Sequence, residues 1–416
     1  MDLLMTDVTL ASGVRTDLGI HGTRFVEPSA LKKPKKINAD GLLALPGLVD
    51  LHTHLREPAP DPAETIESGT QAAAAGGYTA VFAMANTDPV TDTAKQVRQL
   101  RKLSADMWAE VIPIGAITTG LRGESVAAIE DMAAEGVTVF SDDGFCVMDA
   151  SIMREGLQRI NSCGGVLAQH CQDHGIAGAR AYAPEGVVVD TPEMIWDRSA
   201  ESTIVKRDVE LALETGCRIH LCHISTAESV EIIEWGKNKG APITAEVTPH
   251  HLLLGAGLVS NADTRFKVNP PLRKDEDIEA VRRGLEQGVI DIVGTDHAPH
   301  HVSDKDKPMD QAKPGMVGLE WALGVVMETM ILPGRMSWVD VVDRMSLAPA
   351  RIGGIADHQG RGLTPGEPAT FTLIDPTNRG IVDKEESFTQ GLNNPYHGLD
   401  LPHPVISTYW NGQETY

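Results

Sequence analysis

Through the middle of the chain, short runs of apolar and β-branched residues alternate with longer stretches of a different period. The short runs are GLVDLHTHL, YTAVFAMA, EVIPIGAI, GVTVFSDDG, GVLAQHC, RIHLCHIS, ITAEVTPHH and DIVGTDHAPH, and their length and composition predict strands. Between most of them lie segments whose apolar residues recur every three to four positions, such as PAETIESGTQAAAAGG, TDTAKQVRQLRKL, SVAAIEDMAAEG, SIMREGLQRI, STIVKRDVELALETG and TAESVEIIEWGKNKG. That spacing predicts helices, and closing pairs such as Gly-Gly and Thr-Gly are the usual C-terminal stops. Strands and helices in this alternation predict an α/β fold, a closed (β/α)8 barrel. An open doubly wound sheet is the competing architecture, but no glycine-rich phosphate loop follows the first strand.

The two ends of the chain have a different texture. LLMTDVTL, RTDLGIHG and GLLAL near the start, and PATFTLID and VISTYWNGQ near the end, read as short strands without helices, with LKKPKKIN as a basic loop. Neither end can bury much alone, so the two are expected to pair into one small β-sandwich domain. The boundaries that follow are 1–44 and 356–416 for the two parts of this β domain and 45–355 for the barrel. The polar segment HHVSDKDKPMDQAKPGMVG, bracketed by glycines and prolines, is long enough to suggest an active-site loop.

Composition narrows the function classes. A chain of 416 residues with 42% hydrophobic and 23% charged residues is an ordinary globular protein, large enough for one big core and a smaller one. A net charge of −22 argues against nucleic acid or an anionic membrane as partner, and demands a local cation wherever an anion binds. MDLLMTDVTL has no signal-peptide pattern, and no apolar run approaches the roughly 18 residues of a membrane span. Five scattered cysteines without a C-x-x-C pair suit buried free thiols in the cytoplasm. Two of them, Cys171 and Cys222, neighbour histidines and are expected to alternate to the outer face and pack there.

Metal-capable residues stand at the ends of five of the predicted strands. His52 and His54 close the first; residues two apart share a strand face, so both imidazoles can reach one ion. Asp142-Asp143 closes the fourth, His170 the fifth, His223 the sixth and Asp296 the eighth. A lone strand histidine is usually a satisfied core or surface residue. Ligand types on five strand ends, all at the rim where barrels carry their chemistry, are a poor match to chance. Imidazole and carboxylate suit Zn²⁺ at about 2.0–2.2 Å. Asp142-Asp143-Gly144 also has the composition of a turn, and the pattern does not say which aspartate faces inward.

The constellation resembles the amidohydrolase superfamily, and within it the dihydroorotases of the long bacterial type (class I). The match runs through His52-Thr53-His54-Leu55-Arg56-Glu57-Pro58, Asn86 in AMANTDP, Asp143 in SDDG, His170 in QHCQD, His223 in CHIST, Asn269 in KVNPPLR, GTDHAPH from Gly294 to His300, and GEPATFTLID. The resemblance implies that His52 and His54 hold one ion and His170 and His223 a second. Asp143 would bridge them, and Asp296 would ligate the first ion and move protons. Zn²⁺ is the implied cofactor, as one ion or two. The implied reaction is the reversible cyclisation of N-carbamoyl-L-aspartate to L-dihydroorotate in de novo pyrimidine biosynthesis, by a metal-bound hydroxide in the hydrolytic direction. Arg56, with Asn86 and His300, would take the substrate carboxylate, and Asn269 and the backbone of Pro314 and Gly315 would face the ring. The plain alternative for Arg56 is a surface ion pair with Glu57; for Asn269 it is a turn. A homodimer and an association with aspartate transcarbamoylase are the macromolecular partners the resemblance suggests. Hydantoinases and allantoinases share the metal chemistry but usually place a carboxylated lysine on the fourth strand, where this chain has aspartate. A non-catalytic scaffold subunit is the other alternative; it is expected to have lost ligands, and here none is missing.

Overall fold

The computed structural model describes residues 2–178, 182–189, 191–259 and 263–416. The predicted barrel strands occupy Leu48–Thr53, Tyr78–Ala83, Glu110–Pro113, Val139–Phe140, Val166–Gln169, Ile219–Leu221, Ile243–Val247 and Ile292–Val293. Neighbours in sequence are neighbours in space and run parallel, the first three in one group and the remaining five in another. Parallel bridges from Gly115 to Phe140 and from Thr53 to His297 join the two groups on both sides and close the ring.

Side-chain alternation along these strands makes two apolar layers. Val49, Leu51, Ala80, Phe82, Ile112, Val166, Ala168 and Ile292 fill the barrel interior. Val81, Ala83, Leu167 and Leu221 face outward against Val97, Leu157, Ile204 and Val281 of the surrounding helices. Those helices begin where the sequence supplies caps. Thr65 accepts from the Ser68 amide at the start of Ile66–Ala75, Asp149 from Ser151 and Ile152 before Ala150–Ser162, and Thr226 from Ser229 before Ala227–Asn238. Helix Ser199–Thr215 ends on Gly216 in the left-handed conformation. Helix Ala348–Gly353 seals the end of the barrel where the strands begin. Its Gly353 approaches so closely that a Cβ there would lie 2.4 Å from the Phe82 ring.

Both chain ends meet in one continuous eight-stranded sheet. Strand Leu43–Pro46 is the junction: it pairs in parallel with Asp2–Leu10 and antiparallel with Phe371–Ile374. The sheet encloses its own core, in which Met5, Ile20 and Phe25 meet Phe371 and Tyr409, the last two stacked at 4.7 Å. The basic segment read as a loop is partly strand: Lys35–Asn38 pairs in parallel with Asp2–Leu10. Its backbone supplies a ladder to that strand while its lysines stay exposed, which charge alone does not reveal.

The cysteines need two corrections. Cys163 is exposed, whereas the other four are buried. Cys222 points into the barrel interior, not to its outer face, because it shares strand parity with His220, and both turn inward. The chain then breaks that parity at His223, whose φ of +36° brings the next side chain over the barrel mouth as well. Cys171 packs in the outer layer. Among the described residues no helix is long and apolar enough to cross a membrane.

Candidate active site

At the mouth of the barrel the ends of the first, fourth, fifth, sixth and eighth strands converge. His52 Nε2 lies 3.3 Å from Asp143 Oδ1 and 3.4 Å from Asp296 Oδ1. His54 Nε2 lies 3.0 Å from Asp296 Oδ1 and 3.3 Å from Asp143 Oδ2. On the other side of Asp143, His170 Nδ1 and His223 Nε2 stand 3.5 and 3.7 Å from its Oδ1. Asp143 is therefore the carboxylate among four imidazoles. Asp142 faces away; its oxygens accept from the amides of Ile117 and Thr118, at 2.7 and 3.0 Å, and from the Thr118 hydroxyl. It anchors the loop after the third strand.

The far nitrogens of these rings decide what the near ones present. His52 Nδ1 donates to Glu246 Oε1 at 2.5 Å, His54 Nδ1 to Asn86 Oδ1 at 3.0 Å, and His170 Nε2 to Gln172 Oε1 at 2.8 Å. Each ring in that tautomer turns a lone pair toward Asp143 or Asp296. Lone pairs facing carboxylate oxygens repel unless a cation lies between them. His52 Nε2 and Asp143 Oδ1 are moreover buried without a hydrogen-bond partner, a costly arrangement on its own. Two triads, His52–Asp143–His223 and His52–His54–Asp296, each bring their donor atoms within 4.8 Å of one another. The donor set fits a metal ion.

Sequence reasoning missed Glu246, which is fully buried on the seventh strand. Its Oε2 accepts from His220 Nε2 at 3.1 Å, and its Oε1 also accepts from the His223 amide at 3.2 Å. The signal was available: ITAEVTPHH carries one carboxylate inside an otherwise apolar barrel strand, where an unpaired charge is not tolerated. Gln172 was missed as well, two residues beyond His170.

Beside the histidines opens a cleft of about 350 Å³, bordered by Arg56, Asn86, Asn269, Asp296, His300, Pro314 and Gly315, with Phe145 and Lys313 at its edge. Arg56, at φ +62°, donates through Nε to the Pro299 carbonyl at 3.0 Å. The surface pair with Glu57 does not form, since Glu57 Oε2 accepts from the Ile66 amide. Asn86 is held at both ends of its amide, Oδ1 by His54 and Nδ2 by the Asp143 carbonyl at 3.3 Å. Asn269 Nδ2 donates to Gln172 at 2.7 Å, while its buried Oδ1 has no partner. His300 Nε2 donates to the Pro314 carbonyl at 2.7 Å; burial and then the charge of Arg56 push its pKa down to about 3, so the ring is neutral. Pro314 and Gly315 wall the cleft, and their backbone groups already have partners within the protein. The Pro314 carbonyl takes His300, the Gly315 amide donates to Lys267 O at 3.0 Å, and the Gly315 carbonyl accepts from Lys305 and Asn393.

A family model described as "Dihydro-orotase-like" matches residues 41–229. A dihydroorotase of Streptomyces coelicolor is 48% identical over 99% of this chain and 94% of its own length. One from Leifsonia xyli subsp. xyli is 48% identical, covering 99% of this chain and 95% of its own. Among solved structures, the dihydropyrimidinase of Brevibacillus agri superposes with a TM-score of 0.87 at 20% identity, covering 100% of this chain and 95% of that one. The L-hydantoinase of Arthrobacter aurescens gives 0.86 at 23% identity, over 99% and 95% of the two chains. At such low identity these structures speak to the fold alone.

Proposed function

The chain belongs to the dihydroorotase family, and from that premise we propose how its barrel-mouth cleft carries out the reaction. The enzyme is a metal-dependent cyclic amidohydrolase that interconverts N-carbamoyl-L-aspartate and L-dihydroorotate. We assign Zn²⁺ as its metal. His52, His54 and Asp296 would hold one ion, His170 and His223 a second, with Asp143 shared. A divalent ion there polarises the amide carbonyl and lowers the pKa of the attacking water.

The rest is the work of side chains. In hydrolysis, Asp296 takes the proton of the attacking water as the new C–O bond forms. It returns that proton to the ring nitrogen as the C–N bond breaks. Cyclisation reverses both transfers. Arg56 receives the exocyclic carboxylate, and Asn86 fixes the His54 ring beside it. Asn269, whose Oδ1 lacks a partner, is placed to accept from a ring N–H.

One observation carries the substrate assignment: among the described residues no carboxylate pairs with the Arg56 guanidinium, although Asp143 and Asp296 line the same cleft. In a protein of net charge −22, such a cation favours an anionic substrate over a neutral ring. The test is turnover of dihydroorotate, hydantoin and allantoin by the metal-loaded protein. Dihydroorotate is expected to react and the other two to be inert; hydantoin turnover equal to that of dihydroorotate would overturn the assignment. Five cysteines without a disulfide among them support a cytoplasmic location.

A further inference from the structure

Lys305 ends a single helical turn, Val302–Lys305, in the long segment after the eighth strand, and it is buried. Its ammonium makes no ion pair among the described residues. Instead Nζ donates to three carbonyls, those of Lys267 at 3.2 Å, Lys313 at 2.9 Å and Gly315 at 3.1 Å. An ammonium has three donors, and here each has its own acceptor. Burial and the nearby Lys267 lower the Lys305 pKa to about 7, and the three carbonyls, one for each N–H of the ammonium, are what hold the charged form there in place of a carboxylate.

The three carbonyls come from two segments that form separate walls of the cleft. Lys313 and Gly315 flank Pro314, whose carbonyl fixes His300. Lys267 lies two residues before Asn269, and its carbonyl also receives the Gly315 amide. One charged group thus ties the wall that carries His300 and Pro314 to the wall that carries Asn269. The Gly315–Lys267 bond between these walls is neutral, and the Lys267 ammonium reaches only the Met309 carbonyl, at 2.6 Å, farther along the loop; the bonds from Lys305 are of the stronger, charged kind and meet both walls.

We propose that Lys305 is a positioning residue of the substrate cleft, its ammonium setting the distance between the Asn269 wall and the Lys313–Gly315 wall. The proposal rests on this cleft being the substrate site. Lys305 touches neither the histidines nor Asp296, so its effect falls on binding, not on the chemical step.

The test is steady-state kinetics of Lys305→Met with dihydroorotate, alongside metal quantification and hydrogen exchange over residues 300–318. KM is expected to rise about tenfold, with kcat within about threefold, metal content unchanged, and faster exchange confined to that segment. Lys305→Gln, which retains two donors, is expected to fall between the parent and Lys305→Met, and it serves as the reading if Lys305→Met fails to fold. Unchanged KM, an equal loss of kcat, or failure of both variants to fold would each overturn the proposal, the last by making Lys305 a determinant of the fold. Arg56→Met, measured in parallel, separates the two claims. If it is impaired while the Lys305 variants are not, only the positioning role fails; if none is impaired, the cleft is not the substrate site.

Discussion

The imidazole of His52 and the carboxylate of Glu246 meet at 2.5 Å, Nδ1 to Oε1, both wholly buried. This contact orders the proposed metal site from beneath. It keeps the His52 proton on Nδ1 and leaves Nε2 as a lone-pair donor toward Asp143 and Asp296. Burial alone would raise the Glu246 carboxyl, but the hydrogen bonds from His220 and His52 keep it far below the ordinary carboxylate range. A carboxylate behind a ligating histidine raises its basicity and locks its orientation.

Glu246→Gln should therefore weaken metal binding by roughly 10- to 100-fold without removing a ligand. Competition with a chromogenic chelator measures it directly, with His52→Ala as the reference for outright ligand loss. Equal affinity in Glu246→Gln and the parent would show that His52 needs no such support.

Asp296→Asn should fold normally and lose turnover by on the order of 10²–10⁴-fold, because an amide cannot accept and return a proton at neutral pH. Rates are to be compared after metal content has been matched by elemental analysis. A loss of less than tenfold would remove Asp296 from proton transfer.

Arg56→Met keeps much of the stem volume and discards the charge and its donors. Hydrogen bonds to charged groups contribute about 1.5–3 kcal/mol, so kcat/KM for dihydroorotate should fall about tenfold to a hundredfold. Metal content should not change, since arginine is not a ligand. An efficiency within twofold of the parent would leave the substrate carboxylate without its partner.

Glu320 supplies a pH prediction away from the metal. Its carboxylate accepts from the amides of Phe388 and Thr389 at 3.1 and 3.3 Å, yet burial, with the nearby Glu64, pushes its pKa up to about 7. The folded chain then holds this proton between pH 4.5 and about 7, while the unfolded chain releases it, so stability falls as pH rises through that window. The full penalty, present above pH 7, is at most on the order of 3 kcal/mol. Glu320→Gln removes the charge and keeps one of the two acceptors, so its melting temperature relative to the parent should be higher at pH 8 than at pH 4. A constant gap across that range would show that Glu320 does not titrate there.

The barrel could be read in advance because a period is a local property. A strand such as YTAVFAMA and a helix such as TDTAKQVRQLRKL announce themselves by spacing alone, and strand ends locate the rim. His52, His54, His170, His223 and Asp296 were visible for the same reason: each stands where a strand stops. Other features depend on what lies across the ring, which no local pattern records. Asp142 and Asp143 are chemically identical, and only the position of the Thr118 amide decides which of them turns outward. Cys222 was misplaced because simple alternation failed at the next residue, where His223 enters positive φ. Glu246 becomes a partner of His52 only once the closed barrel lets a residue 194 positions away reach it across the interior. Lys305 likewise gains its role from carbonyls that the fold gathers around it. Spacing along the chain determined which elements form and which donors reach the rim. Ring closure decided which hydrogen bonds those donors make, and thereby the tautomer and the direction in which each faces.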